Sequence, residues 1–467
     1  MTSEGPFRIR MQASTLERLR DCLFPEDNAE ALAFVLCGMA RTPFGTDLLA
    51  QEVIPLVGSA YRSRSGQHVS WATEALLPLL GRMAEEQLCL VKCHSHPGGE
   101  AAFSELDDNS DRSLLPHCYG WYPEGLHGSL VFTETRAAAR IVRPDGTFES
   151  IEDIWSIGDS WKNLTEQRVV SADPAQQRLR QAFGDGTYAA LKKLRVGVVG
   201  ASGAGSLVIE ALARTGVGEL VVVDPEAAED VNRNRVIHST PAHVQAKTPK
   251  VDIAAESVAK MELGTVVTTL KKSLHDPEAI SALAGCDVVL GCVDNREARQ
   301  LLCRLSAFYL LPYLDTGVAI HAAESGEVQS VNVAVNYFRP GQSFLSRGIF
   351  DGEALRAEAL ARSDPEHHAE LANARYVHGV RVDRPAVMPL NMIAAGWMVM
   401  ELLERLHAYR DPELRHYLAE IFLSLDMGFA RGREDDALCP ALEPVIGKGD
   451  VSPPLGMPAL SLSEAVA

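Results

Sequence analysis

Two histidines separated by one residue, His94 and His96, are followed by Ser104 and then Asp107 within the stretch KCHSHPGGEAAFSELDD. Two imidazoles and a carboxylate are a donor set that a tetrahedral zinc ion takes up while keeping one position open. A water in that position becomes a nucleophile near neutral pH. A hydroxyl such as that of Ser104 suits the oxyanion of a tetrahedral intermediate. The same residues also permit a structural reading, because Ser104-Glu-Leu-Asp107 is an N-terminal helix cap. From residue types alone, metal site and cap stand as equal alternatives.

A second group begins at Gly200-Ala-Ser-Gly203-Ala-Gly205, between the apolar run RVGVVGA and the helical pattern SLVIEALARTG. Backbone N–H groups at the start of a helix can hold phosphate. Asp224 closes the next run, LVVVD, where a carboxylate can accept a ribose hydroxyl. These features alone also suit an NAD(P)-binding oxidoreductase. Farther on stand Asn232, Asn234 and Arg235, then Lys250 with Lys247 as a competing choice, and finally Asp294, Asn295 and Arg299. Amide, guanidinium, ammonium and carboxylate groups together suit an ATP triphosphate with Mg²⁺ better than hydride transfer.

The elements that must position these residues can be read from periodicity. His94 and His96 end the apolar strand LCLVKCHSH, and a two-residue step puts both on one face. Ser104 and Asp107 share one side of a following helical turn. FRIRMQ and AFVLCGMA read as strands, STLERLRDCLF as a helix, and SLVFTETRAAARIVRPDGTFESI as two strands around a Pro-Asp-Gly turn. Residues 1–155 therefore read as an α+β domain, and 156–195 as a polar helical linker. Across 196–431 strands and helices alternate, the mark of a mainly parallel, doubly wound α/β sheet. A helix over 391–407 closes that domain. The proline-rich residues 432–467 read as a poorly packed tail.

His94-x-His96-Pro97, followed after six intervening residues by Ser104-x-x-Asp107, resembles the JAB/MPN metalloprotease (JAMM) motif of deubiquitinase-like isopeptidases, over residues 10–150 or so. The resemblance implies His94, His96 and Asp107 as zinc ligands and Ser104 as the oxyanion partner. It also implies an upstream glutamate as general acid/base, for which Glu30 is the candidate. Asp108 is the alternative ligand if the helix is offset, and otherwise Asp108 and Asp111 read as surface acids.

The glycine loop with its downstream set resembles the ThiF/MoeB/HesA family, the Rossmann-like adenylating domain of ubiquitin-activating enzymes and their bacterial relatives, over about residues 175–430. By that resemblance Gly200, Gly203, Gly205 and Asp224 hold the nucleotide. Asn232, Asn234 and Arg235 contact ribose and phosphate, Lys250 faces the phosphates, Asp294 binds Mg²⁺ and Asn295 sits beside the nucleotide. Arg180 resembles an arginine that reaches into a partner protomer's site, which implies a homodimer. Ser343-Phe-Leu-Ser346 stands where zinc-bearing relatives carry Cys-x-x-Cys, so a structural Cys₄ zinc is not expected. Nor does 347–390 contain a cysteine to accept the activated carboxyl.

Bulk properties narrow the field. At 467 residues two or three domains are expected. A net charge of −18 argues against a nucleic-acid partner. No run of 18 apolar residues appears, so a membrane span is not expected. Nine cysteines without a paired motif read as reduced thiols in a cytoplasmic protein. The combined expectation is a bacterial enzyme that adenylates the Gly-Gly tail of a small ubiquitin-like, β-grasp or sulfur-carrier protein, and processes or deconjugates that protein with a zinc peptidase. The alternatives are adenylation of a peptide or small carboxylate in a natural-product pathway, a scaffold in which one domain only binds, and the oxidoreductase.

Overall fold

LAFVLCGMA is apolar throughout, rather than alternating, because its strand is buried on both faces. The computed structural model describes residues 5–165, 173–323, 327–364, 366–369, 387–411, 419–433 and 437–461. These form two compact units, the first taking in the chain to Arg168 together with Phe308–Leu310 and Val445–Gly456.

In the first unit the strands are β1 (Phe7–Gln12), β2 (Leu32–Thr42), β3 (Gly45–Pro55), a separate hairpin β4 (Tyr61–Ser65) and β5 (His68–Trp71), β6 (Cys89–Ser95), β7 (Gly128–Phe132), β8 (Ala137–Val142), β9 (Phe148–Ile157) and β10 (Trp161–Asn163). The main sheet runs β1-β3-β2-β6-β7-β8-β9-β10, and β1 also pairs in parallel with β9, closing the sheet on itself. Alternate residues of β2 serve two cores. Ala33, Val35 and Cys37 pack with Leu16, Leu19 and Leu23 of α1 (Ala13–Leu23), while Leu32, Phe34 and Leu36 pack with Leu79 and Met83 of α2 (Leu77–Glu86).

Three expectations change here. The stretch from Ser129 to Ile151 contributes to three strands, not two, with the Pro-Asp-Gly turn between β8 and β9. The supposed helical linker begins as strand, since β9 reaches Ile157 and β10 follows; only α4 (Gln177–Lys193) is a long helix, and residues 166–172 of the linker lie outside the described residues. The expected loose tail is tightly packed from Val445 to Gly456. Gly449 bridges Met39, the Asp450 carboxylate accepts the Arg41 N–H at 2.6 Å, and Gln51 donates to the Gly447 carbonyl at 3.0 Å. A Cβ on Gly38 would stand 2.1 Å from the Gly447 carbonyl oxygen, so two backbones meet where only glycine fits. Residues 462–467 of that tail lie outside the described residues.

The second unit holds α5 (Gly203–Arg214), α6 (Pro241–Gln245), α7 (Lys250–Met261), α8 (Pro277–Ala284), α9 (Arg296–Tyr309), α10 (Gly352–Ser363) and α11 (Met388–Leu406). Its strands are β11 (Arg195–Val199), β12 (Glu219–Val223), β13 (Val266–Leu270), β14 (Val288–Gly291), β15 (Tyr313–Ala322), β16 (Val328–Phe338), β17 (Glu420–Ser424) and β18 (Phe429–Arg433). The order β13-β12-β11-β14-β15 is parallel, and β16, β17 and β18 extend it antiparallel. Chain order reverses between β11 and β14, and the glycine loop leaves β11 at that point, where open α/β sheets form a crevice. Ser343 and Ser346 bond one another reciprocally, each backbone N–H donating to the other's hydroxyl at 3.1 Å. Among the described residues no helix is long and apolar enough to cross a membrane.

Candidate functional sites

β6 sends Cys89, Val91 and Cys93 into one core, which turns Leu90, Lys92 and His94 to the opposite face. There His94 is 2% exposed, and its Nε2 lies 3.1 Å from Nε2 of His96. Asp107 enters from α3 (Glu105–Leu114), whose N-cap is Ser104. Its Oδ1 is 3.0 Å from His94 Nε2, and its Oδ2 is 3.8 Å from His96 Nε2. The cap and the cluster are one structure: Ser104 donates its backbone N–H at 2.8 Å and its hydroxyl at 2.7 Å to that same Oδ2. Glu30, buried just before β2, brings Oε1 to 4.0 Å from His96 Nε2. All five residues line a cleft of ≈ 530 Å³ beside the β4–β5 hairpin.

Burial lowers the pKa of His94 and keeps its ring neutral, the form a metal requires. Burial works to raise Asp107, but hydrogen bonds from His94 and Ser104 outweigh it and hold the carboxyl well below its usual range. Glu30 is raised, by burial first, with His96 opposing. His96 Nδ1 faces the Glu100 carbonyl at 3.1 Å, which turns the Nε2 lone pair toward the cluster. Tetrahedral zinc with bonds of about 2.0–2.1 Å holds its ligand atoms about 3.3 Å apart. His94 Nε2 lies 3.1 Å from His96 Nε2 and 3.0 Å from Asp107 Oδ1, near that value, and one donor atom from each of the three residues lies within 4.8 Å of the others, so the donor set fits the ion.

Beneath α3 lies a network that spacing does not reveal. Asp111, expected at the surface, is fully buried and ion-paired with Lys92 and Arg140. Arg140 also holds Asp108 at 2.5 Å, and its guanidinium stacks 3.8 Å from the ring centroids of both Phe103 and Phe148. Asp108 is thereby engaged away from the histidines. The network fixes α3, and with it Asp107, against β6 and β8.

In the second unit Gly200 adopts φ +93°, and Ser202 keeps φ negative at −89°. A Cβ on Gly205 would strike the Gly200 carbonyl at 1.8 Å, so the loop must be glycine-lined to turn into α5. Asp224 ties the loop down, its two oxygens accepting the N–H groups of Ala201 at 2.7 Å and Glu226 at 2.8 Å. Lys250, the first residue of α7, is buried and paired with Glu226, whereas Lys247 is exposed in a left-handed turn. Arg235 donates to the Asn232 side chain at 2.8 Å and to that of Asn234 at 3.3 Å, and its stem covers Gly203. Asn295 caps α9 by accepting the Ala298 N–H at 2.7 Å, and Asp294 beside it is exposed. Arg299 pairs with buried Asp315 at 3.2 Å. Arg180 lies apart on α4, paired with Asp185 at 2.6 Å.

A closed α+β sheet bearing a His-His-Asp cluster, followed by a doubly wound sheet with a glycine loop, defines a two-part chain. Residues 12–142 match the prokaryotic homologs of the JAB domain, and residues 175–441 match the ThiF family. The second match covers more than half of the chain, which belongs to the ThiF family. It is 34% identical over 128 residues to "Adenylyltransferase and sulfurtransferase UBA4" of Yarrowia lipolytica, covering 27% of this chain and 31% of that one. It is 37% identical over 119 residues to "SAMP-activating enzyme E1" of Haloferax volcanii, covering 25% and 43%. It is 35% identical over 140 residues to "Molybdopterin-synthase adenylyltransferase" of Salmonella typhimurium, covering 30% and 54%. The chain thus spans only 31 to 54% of the length of these three relatives. Among solved structures, E. coli MccB with ATP is 16% identical with a TM-score of 0.43, over 57% of this chain and 75% of that one.

Proposed function

We propose that this chain works on a small ubiquitin-like or sulfur-carrier protein with two activities. The second unit adenylates the protein's C-terminal carboxylate with ATP and Mg²⁺, and the first hydrolyses a bond that follows the same tail. The observation that carries this reading is buried Lys250, beside Asp224 and close to Ala201 and Ser206 at the glycine loop. A buried ammonium with an adjacent Asn-x-Asn-Arg segment serves a polyphosphate and has no use in hydride transfer.

In adenylation a carboxylate oxygen forms a bond to the α-phosphorus, the α–β phosphoanhydride bond breaks, and pyrophosphate departs. The N-terminus of α5, Asn232, Asn234 and Arg235 hold the phosphates, and Asp224 receives the ribose. Lys250 leaves Glu226 for the phosphate charge. Asp294 would hold Mg²⁺, which neutralises charge on the departing pyrophosphate. Arg180 reaches a partner protomer's site in a cytoplasmic homodimer. In the first unit His94, His96 and Asp107 would hold zinc, which makes a bound water acidic. Glu30 would accept a proton from the attacking water and pass it to the leaving amine, and the Ser104 hydroxyl would donate to the oxyanion.

Labelled pyrophosphate, ATP and a small protein ending in Gly-Gly test the second unit. Label entering ATP only with that protein is expected, and no exchange with any such tail ends the reading. For the first unit, cleavage of the same protein extended beyond Gly-Gly is expected to stop on chelation, return with zinc, and be absent in His96→Ala.

A further inference from the structure

Helix α11 begins MPLNMIAAGWMVM, an apolar run broken by Asn391. Asn391 is 2% exposed, and its Nδ2 has no hydrogen-bond partner among the described residues. Buried amide donors are nearly always paired, so one left open needs a reason. Its position supplies one. A Cβ built on Gly203, the first residue of α5, would stand 2.4 Å from Asn391 Nδ2 and 3.4 Å from Arg235 Cδ. The first residue of α5 is therefore flanked by an amide donor and an arginine stem. The first-turn N–H groups of a helix also lack intrahelical acceptors. Asp224, which accepts the N–H of Ala201 in the loop, is already engaged there and with Glu226.

We propose that Asn391 is a nucleotide-binding residue whose Nδ2 donates to a phosphate oxygen of ATP seated on the N-terminus of α5. This rests on the reading of the second unit as ATP-using, and it adds a contact from α11, an element remote in sequence from the glycine loop. Charge complements the geometry: what gathers around Gly203 is donors, and the missing partner is an anionic acceptor.

The test is calorimetric binding of adenosine, AMP and ATP to the full chain and to Asn391→Leu and Asn391→Asp. Asn391→Leu is expected to bind adenosine like the parent and ATP about 10- to 100-fold more weakly, the range for a hydrogen bond to a charged group. Asn391→Asp is expected to be weaker still, because it sets a carboxylate against phosphate. A loss that already appears with AMP places the contact at the α-phosphate; a loss confined to ATP places it farther out. Equal ATP affinity of Asn391→Leu and the parent overturns the proposal, as does an equal loss for adenosine and ATP, which marks packing alone. Asn391→Ser, which cannot overpack the loop, takes the same place if the leucine variant does not melt cooperatively. A parent chain that binds no ATP sinks both this and the ATP-using reading; a parent that binds ATP with unaffected variants sinks only the role of Asn391.

Discussion

In the histidine cleft of the first unit, lone pairs face one another: two imidazole nitrogens and a carboxylate converge with at most one proton between each pair. At the glycine loop of the second unit the charged groups are instead paired off internally, Asp224 with backbone N–H groups, Lys250 with Glu226 and Arg235 with Asn232. The first arrangement is held in place without a ligand by a capping box and a buried ion network. On the function proposed above, the second would exchange partners when nucleotide binds, so affinity there would be a difference between two sets of contacts. Preorganisation costs stability in one place and is deferred to binding in the other.

The largest test of this contrast is Arg140→Met. Removing one partner from a buried network leaves Asp111 and Asp108 poorly compensated, which costs about 3–5 kcal/mol. Urea unfolding should show that loss in the first unit, with zinc affinity lowered and ATP binding unchanged. A variant with full stability and full zinc affinity would show that α3 needs no such anchor.

Acidity should act on the two units with opposite sign. Burial, only partly opposed by a hydrogen bond to the Tyr122 carbonyl, lowers His127 from 6.5 to about 4. Between those values the unfolded chain binds more protons, so the contribution of His127 is complete above pH 6.5 and falls by about 3 kcal/mol as pH drops to 4. Burial lifts Asp315 from 3.8 to about 6, with Arg299 opposing. There the folded state binds more protons, so that contribution is complete below pH 3.8 and is lost, by about 3 kcal/mol, as pH rises to 6. Hydrogen exchange on peptides from β6 and β11 under urea separates the units. His127→Gln should flatten the first slope and Asp315→Asn the second; unchanged slopes in both variants would refute the assignment.

The smallest effect expected is also the most pointed. Glu226→Gln frees Lys250 from its internal partner, and ATP should bind roughly threefold more tightly, the scale of one exposed ion pair. Weaker binding would instead make Glu226 a contact of the ligand.

What was legible in the sequence follows from the physics of each element. Parallel strands β11 to β15 are short apolar runs separated by helices, and each could be read directly. Tyr61–Ser65, largely exposed and polar, carries no such signal, and β16 follows β15, as β18 follows β17, with no helix between to mark an alternation. The histidine cluster was legible because its three residues sit within fourteen positions, on a strand end and the next helix turn. Arg140 was not, because its partners Asp108 and Asp111 lie 32 and 29 residues away and meet it only across the fold. Asn391 was hidden for the same reason. The proline and glycine content of 445–456 read as looseness, although Gly449 is there to let two backbones touch.

That last contact bears on how the chain is made. Strands β2 and β3 emerge from the ribosome some four hundred residues before the Gly447–Asp450 segment that lies against them. Throughout that interval the first unit has a bare backbone edge at Met39 and Arg41. The JAB-like part therefore completes its fold only when synthesis has passed the whole ThiF-family part, and a chain cut after Thr165 would lack one of its own walls.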